Sequence, residues 1–330
     1  MKIKKDYLKD IVKYDFHKKK ILVIGDLMVD EYIDGNVKRI SPEAPIPILD
    51  YCGKKMIAGG AGNVAHNLAS LGAKVHIMGT SANDMAGTWL REYFSAINVE
   101  YTGVYAEKNR PTTIKTRYIT KGHQLLRVDN ECGQDILEET KVYFISLIEQ
   151  MIGNVDAVIL SDYKKGVLTD EQFVKKIVKI CNENNVLISV DSKSRNITAF
   201  ENVTFVKPNN LELEEAVNIQ VKDEETLNLA GEKYLRKSKA NALIVTRGSK
   251  GISLFEPEKK RKDYKAKDVF VFDVSGAGDT VISTITLGLV SGLKLEDSIK
   301  LANVAASIVI TKNGTAVPTV EELLEGIDEE

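Results

Sequence analysis

The sequence predicts an α/β protein with a mostly parallel central sheet, helices on both faces and a small β-rich addition. Three observations predict it. Apolar runs of strand length alternate with amphipathic segments of helix length along most of the 330 residues. The alternation breaks over 101–129, where strand-like runs lie close together with turns between them. No internal repeat, Pro/Ser-rich linker or low-complexity segment divides the chain, so one domain over 1–330 is expected, with β-rich lid segments at about 31–58 and 99–131.

The elements follow in order. The lysine-rich start, 1–20, carries Leu8, Ile11, Val12 and Phe16 at helical spacing and lacks the apolar core of a signal peptide. Ile21-Leu22-Val23-Ile24 is a buried-type strand closed by Gly25-Asp26. A helix over 62–71 and a strand over 75–78 come next, and Asp84 is placed to cap a helix running to about 97. In the β-rich part, runs at 113–120 and 124–128 bracket Lys121-Gly122-His123 as a hairpin turn. Alternation resumes with a helix over 137–151 and a strand over 157–160. Thr169-Asp170-Glu171-Gln172 has the capping-box pattern ahead of a helix to about 183. Strands at 186–190, 204–206, 242–245 and 269–274, a helix after Asn210 and a long helix over 295–312 complete the pattern.

Composition narrows the function. A formal net charge of -2 and an isoelectric point of about 6.2 give no global pull toward nucleic acid or an anionic membrane. Cys52, Cys132 and Cys181 contain no Cys-x-x-Cys pair, which argues against a zinc site or disulfide framework and for a reducing compartment. The longest weakly polar stretch, 281–293, is too short to span a bilayer and is interrupted by serine and threonine. A cytoplasmic protein acting on small molecules, with neither nucleic acid nor membrane as partner, is expected. His66 reads as a core or rim residue, His123 as a turn residue and Trp89 as a packing residue.

The strongest local signal is Asp273-Val274-Ser275-Gly276-Ala277-Gly278-Asp279-Thr280, where a strand gives way to a helix. Glycines there let backbone N–H groups approach an anion, and the helix N-terminus adds free donors. A carboxylate at Asp279 opposes simple anion binding, so a base role is the better reading, with helix capping as the alternative. The second signal is Gly59-Gly60-Ala61-Gly62-Asn63-Val64-Ala65, opening a helix. Its glycines permit close ligand approach, and Asn63 can both donate to and accept from sugar hydroxyls. A tight turn is the plain alternative. It is not a Walker P-loop, since no Gly-Lys-Ser/Thr follows at the required spacing.

Together, in this order and separation, the two segments resemble the signature regions of the ribokinase-like (PfkB) carbohydrate kinases, over about 21–317. The resemblance implies a ribokinase-like three-layer sandwich with a small β lid, and ATP with Mg²⁺ as phosphoryl donor. Asp279 would be the base, with Gly276, Ala277 and Gly278 facing the transferred group. Asp26 and Asp30 of Gly25-Asp26-Leu27-Met28-Val29-Asp30, with Gly59, Gly60 and Asn63, would hold sugar hydroxyls. Asn209 and Glu212 of Lys207-Pro208-Asn209-Asn210-Leu211-Glu212 would bear on magnesium and phosphate, Glu212 through water. Thr246, Arg247, Gly248, Ser275 and Asn303 would line the nucleotide.

A finer resemblance is to the heptose 7-phosphate kinases of ADP-heptose biosynthesis. It is carried by Arg39-Ile40-Ser41-Pro42-Glu43-Ala44-Pro45-Ile46-Pro47, by Ser161-Asp162-Tyr163-Lys164-Lys165-Gly166, by Thr112-Thr113-Ile114-Lys115-Thr116-Arg117 and by Leu126-Arg127-Val128-Asp129. The implied reaction is phosphorylation of O1 of D-glycero-D-manno-heptose 7-phosphate. Lys115, Arg117, Lys164, Lys165 and Lys193 are then candidates for a clamp on the sugar's own phosphate. Two departures stand out: Ser192 where relatives tend to have proline, and Ser275 where threonine is commoner. No His-x-x-His nucleotidyl motif is present, so that second activity of many relatives is expected from another protein. A kinase of fructose, ribose or a nucleoside, and a non-catalytic sugar-binding regulator, are the alternatives. A homodimer through the β lid is expected, because exposed strand edges pair.

Overall fold

A computed structural model describes residues 5–194 and 196–329. The chain opens with α1 (Lys5–Tyr14), β1 (Lys20–Gly25), β2 (Leu27–Ile40) and β3 (Pro47–Gly60). Next come α2 (Ala61–Ser70), β4 (Lys74–Ser81), α3 (Met85–Ala96), β5 (Val99–Ala106), β6 (Thr113–Thr120) and β7 (His123–Asn130). Regular alternation follows with α4 (Glu138–Met151), β8 (Ala157–Asp162), α5 (Glu171–Glu183), β9 (Leu187–Ser192), β10 (Phe205–Val206), α6 (Asn210–Val217), α7 (Glu224–Ser238) and β11 (Leu243–Thr246). The chain ends with β12 (Ile252–Phe255), β13 (Lys262–Tyr264), α8 (Ala277–Val290), α9 (Leu295–Val309) and α10 (Val320–Asp328).

The main sheet runs β13-β12-β11-β10-β9-β8-β1-β4-β5, parallel except for the antiparallel β11–β12 and β12–β13 pairs. β1 shows why the architecture has three layers. Its alternate residues Ile21 and Val23 enter a core shared with α1, α2, α3, α8, α9 and α10. Leu22 and Ile24 enter a second core on the opposite face, under α4, α5, α6 and α7. Both faces of the strand are therefore buried, which is why the sequence reads as a continuous apolar run. In such sheets ligands bind beyond the carboxyl ends of the strands, and the candidate segments at Asp26, Tyr163, Lys207 and Thr246 leave the ends of β1, β8, β10 and β11.

A separate sheet, β3-β2-β6-β7, forms the lid. β2 and β3 pair antiparallel from Leu27 against Gly60 outward to Ile40 against Pro47, so the lid is rooted where β1 ends and α2 begins. The expected lid range needs one adjustment. Val99–Ala106 pairs with β4 at the edge of the main sheet and is not part of the lid.

Other differences have clear causes. The apolar run 269–274 is not a strand; that end of the sheet is formed by the β11-β12-β13 meander. It hangs instead from the end of α9, with Phe272 and Asp273 N–H donating to Ile310 O, and leaves Phe270 and Phe272 exposed. The cap of α5 is Asp170 rather than Thr169, its carboxylate accepting from Gln172 and Phe173 N–H. Asp84 caps α3 as its sequence predicts, accepting from Gly87 N–H at 2.7 Å. Among the described residues no helix is long and apolar enough to cross a membrane, and all three cysteines are free.

Candidate active site

Residue 276 is where the site begins. Gly276 has φ +80° at the N-cap of α8, and a Cβ there would lie 2.8 Å from Asn63 Nδ2 and from Thr315 Cγ2. Only glycine fits that conformation without strain. Asp279 falls in the first turn but does not cap it, since α8 has no side-chain cap bond. Its carboxylate reaches across instead: Asn63 Nδ2 donates to Oδ2 at 2.6 Å, and the Tyr163 hydroxyl donates to Oδ1 at 3.0 Å. This removes the capping alternative and leaves a carboxylate held from two sides.

The seam beneath is polar and closed. Thr280 Oγ1 donates to Asn67 Oδ1 at 2.7 Å, and Asn67 Nδ2 to Asn63 O at 2.8 Å. Ser283 Oγ reaches Val64 O at 3.3 Å. Small polar residues thus fix α2 against α8 and set the distance between Asn63 and Asp279. Asp279 is 5% exposed, and that exposure opens onto a cleft of about 820 Å³.

Burial pushes the Asp279 carboxyl up to about 6, helped by the charge of Asp191 and opposed by Asn63, Lys207 and Tyr163. A carboxylate poised there is ionised at neutral pH and still basic enough to take a proton. Lys207 is 3% exposed and pairs with Asp191 at 2.9 Å. Burial pushes its ammonium down, but Asp191, Glu212 and Asp279 prevail and hold it above its usual range. A Cβ on Gly278 would lie 3.2 Å from Lys207 Nζ, so a fixed cation faces the open turn of α8. Free helix N–H groups beside a buried ammonium suit a transferring phosphoryl group.

The same cleft is lined by Thr246, Gly248, Asn209, Glu212, Lys193 and Asn303. Gly248 turns at φ +58°, and Asn303 Nδ2 donates to Lys265 O at 3.1 Å. Asn209 and Glu212 form a reciprocal capping box at the start of α6, Glu212 accepting from Asn209 N–H at 2.8 Å. That bond engages one carboxylate oxygen. Burial and the charge of Asp191 push the Glu212 carboxyl up. Among the described residues no three His, Cys, Asp or Glu side chains form a metal-holding group. Glu212 acting through water, with the nucleotide's phosphates supplying other ligands, fits Mg²⁺, which usually keeps several waters. Ser275 is exposed ahead of the helix, its N–H donating to Asp273 Oδ1 at 2.8 Å.

On the lid side, Asp30 stands over Gly59, where a Cβ would collide with its carboxylate. Gly60, at φ +58°, lets the chain turn into α2 against Asp26 O. Arg117 Nη1 donates to Asp30 Oδ1 at 2.5 Å, with its guanidinium over the Tyr32 ring. Lys115 pairs with Asp129 at 3.2 Å and Glu131 at 2.9 Å, and Lys165 pairs with Glu131 at 2.6 Å. The lid therefore gathers Asp30, Lys115 and Arg117 on β2 and β6, and Glu131 ties Lys165, from the loop after β8, to them.

Three expected residues take other places. Asp26 is 1% exposed and accepts from the backbone N–H groups of Tyr163, Lys165 and Val167 at 2.8, 2.9 and 3.0 Å. Its oxygens hold a loop, leaving Asp30, on the lid strand β2, as the acid paired with Arg117. Arg247 is turned from the cleft onto Ser253 and Glu224. Lys164, at φ +58°, donates its backbone N–H to Asp162 and leaves its side chain exposed outside the cleft lining. Tyr163, Asp191 and Lys207 were missed as site residues. The available signal was position: each lies at or just past the carboxyl end of a strand, beside a quoted motif.

The pattern of the pfkB family carbohydrate kinases matches residues 18–322. The chain is 39% identical over 304 residues to the "Bifunctional protein HldE" of Desulfatibacillum aliphaticivorans, covering 92% of this chain and 62% of that protein. It is 37% identical to the protein of the same name from Helicobacter pylori strain G27, covering 92% and 65%. The chain thus spans about three fifths of the length of these curated relatives. Among solved structures, Arabidopsis thaliana ribokinase with ribose and ATP superposes with a TM-score of 0.77 at 18% identity, over 94% of this chain and 98% of that one. Escherichia coli phosphofructokinase-2 with substrates and products gives 0.76 at 19%, over 94% and 99%. At that identity these two show the fold, which is ribokinase-like.

Proposed function

This chain belongs to the pfkB family of carbohydrate kinases, and from that premise we propose that it uses ATP·Mg²⁺ to phosphorylate O1 of D-glycero-D-manno-heptose 7-phosphate, giving the 1,7-bisphosphate. One observation carries the kinase chemistry: a buried carboxylate, Asp279, held by Asn63 and Tyr163 beside the open turn Gly276–Gly278 and the Lys207 ammonium. Asp279 takes the proton from the acceptor hydroxyl as its oxygen bonds to the γ-phosphorus and the bond to ADP breaks. The turn of α8 and Lys207 balance the charge spread over the transferring oxygens. Mg²⁺, held near Glu212 through water, would neutralise charge on the nucleotide phosphates.

The heptose phosphate is the finer part of the proposal. Asp30, Gly59 and Gly60 support the sugar's hydroxyls. Lys115, Arg117 and Lys165 support a second phosphate, since their acidic partners hold them at one edge without filling every donor. An ADP-release assay with heptose 7-phosphate, fructose 6-phosphate, fructose, ribose and adenosine tests it. Preference for heptose 7-phosphate supports the proposal, and preference for another sugar keeps the kinase but removes the heptose. We further propose a homodimer through the lid, supported by exposed Ile40, Tyr51, Leu126 and Val128 on a sheet with two open edges. Light scattering on a gel-filtration column checks it, and a monomer would remove it.

A further inference from the structure

We propose that Tyr163 is a positioning residue for the Asp279 base: its hydroxyl aims the carboxylate at the cleft and keeps water from taking the same place. The inference rests on the kinase reading for what Asp279 does, but the carboxyl titration that tests it does not.

The loop that carries Tyr163 is built with unusual firmness. Asp26, buried under it, accepts three backbone N–H groups, from Tyr163, Lys165 and Val167. Lys164 is in the left-handed region at φ +58° and Gly166 at +104°, where a Cβ would collide with Gln134 O. A non-glycine residue persists at such an angle only where its surroundings fix it. Lys193 Nζ then lies 3.9 Å from the centroid of the Tyr163 ring. The ring is thus held by its loop and by a cation, and a phenylalanine would fill the same volume. What the hydroxyl adds is the 3.0 Å bond to Asp279 Oδ1.

A carboxylate has about four acceptor positions. Asn63 and Tyr163 each take one, on different oxygens, so the carboxylate plane is fixed and the remaining lone pairs are left to the reacting hydroxyl. The titratable groups that face Asp279 are Asp191 near the end of β9, Lys207 past β10 and the Tyr163 phenol past β8. Glu212 and Lys193 face Tyr163 itself. Of these, Tyr163 is the neutral donor, and its hydrogen bond favours the ionised base.

The experiment is a ¹³C-carboxyl NMR titration of the full chain, with Asp279 assigned by loss of its signal in Asp279→Asn. In Tyr163→Phe the Asp279 midpoint should rise by about one pH unit, since a donor to the charged form is gone. Global replacement of tyrosine by 3,5-difluorotyrosine, a stronger donor, should move it down and tests the idea without a cavity or a loosened loop. ADP release from ATP·Mg²⁺ without any sugar should rise severalfold in Tyr163→Phe, as water enters beside the base. An Asp279 midpoint unmoved in both proteins overturns the assignment and leaves Tyr163 a packing residue. No acceptor is needed, so this titration can fail while the sugar panel succeeds, and the panel can fail while the titration succeeds.

Discussion

Replacing Asp279 with asparagine should abolish most turnover while leaving the fold intact. The amide can keep both native bonds: its oxygen accepts from Asn63 Nδ2, and its NH₂ donates to Tyr163 Oη, whose hydroxyl turns to accept. The charge that is lost is one the fold disfavours. Burial raises Asp279 from 3.8 to about 6, a difference worth about 3 kcal/mol. The sign follows from linkage. The folded state binds the proton more tightly, so its stability falls as pH rises from about 4 to about 6, and the penalty is present in full at pH 7. The neutral amide escapes that penalty, offset in part by what Lys207 loses. Stability should therefore be held or raised. The rate loses general-base catalysis, a factor of about 10²–10⁴, or about 3–5 kcal/mol in the barrier. The assay is kcat with the sugar that wild type turns over, alongside calorimetric ATP affinity and thermal unfolding. Turnover within about tenfold of wild type, with ATP binding and Tm unchanged, would refute the base assignment.

Three further outcomes follow from the same geometry. The acid limb of log kcat/KM should bend near pH 6 and fall with unit slope below it, as Asp279 protonates; a limb near pH 4 would show that burial does not set its basicity. Asp26→Asn should cost about 2–4 kcal/mol in urea unfolding, because one amide oxygen cannot serve three N–H groups; an unchanged unfolding midpoint with a raised sugar KM would instead make Asp26 a sugar ligand. Lys207→Met should leave Asp191 buried without its cation, losing about 3–5 kcal/mol of stability and weakening ATP binding by calorimetry; retained stability would show the pair to be dispensable.

Much of the molecule is legible in its residues, and the failures are instructive. Ile21 to Ile24 announce a strand buried on both faces, and Asp84 announces a helix start, because each signal is local. The run at 269–274 looks like a strand by the same rules, but its Phe272 and Asp273 N–H groups bond Ile310 O at the end of α9, and the β12–β13 hairpin forms that end of the sheet. Those two strands are short and β13 is polar, so neither carries a period to detect. In the site, the two glycine segments mark Asp279 and Asn63. Asp26 and Asp30 are indistinguishable as letters; only the path of the chain sends one beneath a loop and the other toward the lid. Arg247 sits in a nucleotide-type loop yet turns onto Glu224, a residue whose approach no spacing reveals. Tyr163 and Lys207 acquire their roles from contacts with α8, far along the chain.

The α2–α8 seam has a consequence for how the protein is made. Asn63 and Asp279 are 216 positions apart, and Lys20, beginning the strand at the middle of the sheet, bonds Asp156, 136 positions on. During synthesis α2 therefore emerges long before the helix that covers it, with Val64 and Leu68 left to find temporary shelter. Pairings so distant close slowly and expose sticky surface meanwhile. Nascent chains should accordingly depend on chaperones until α8 has left the ribosome. The proposed base also arrives with that late helix, so on this reading a half-made chain has the lid and Asp30 but no means of turning over ATP.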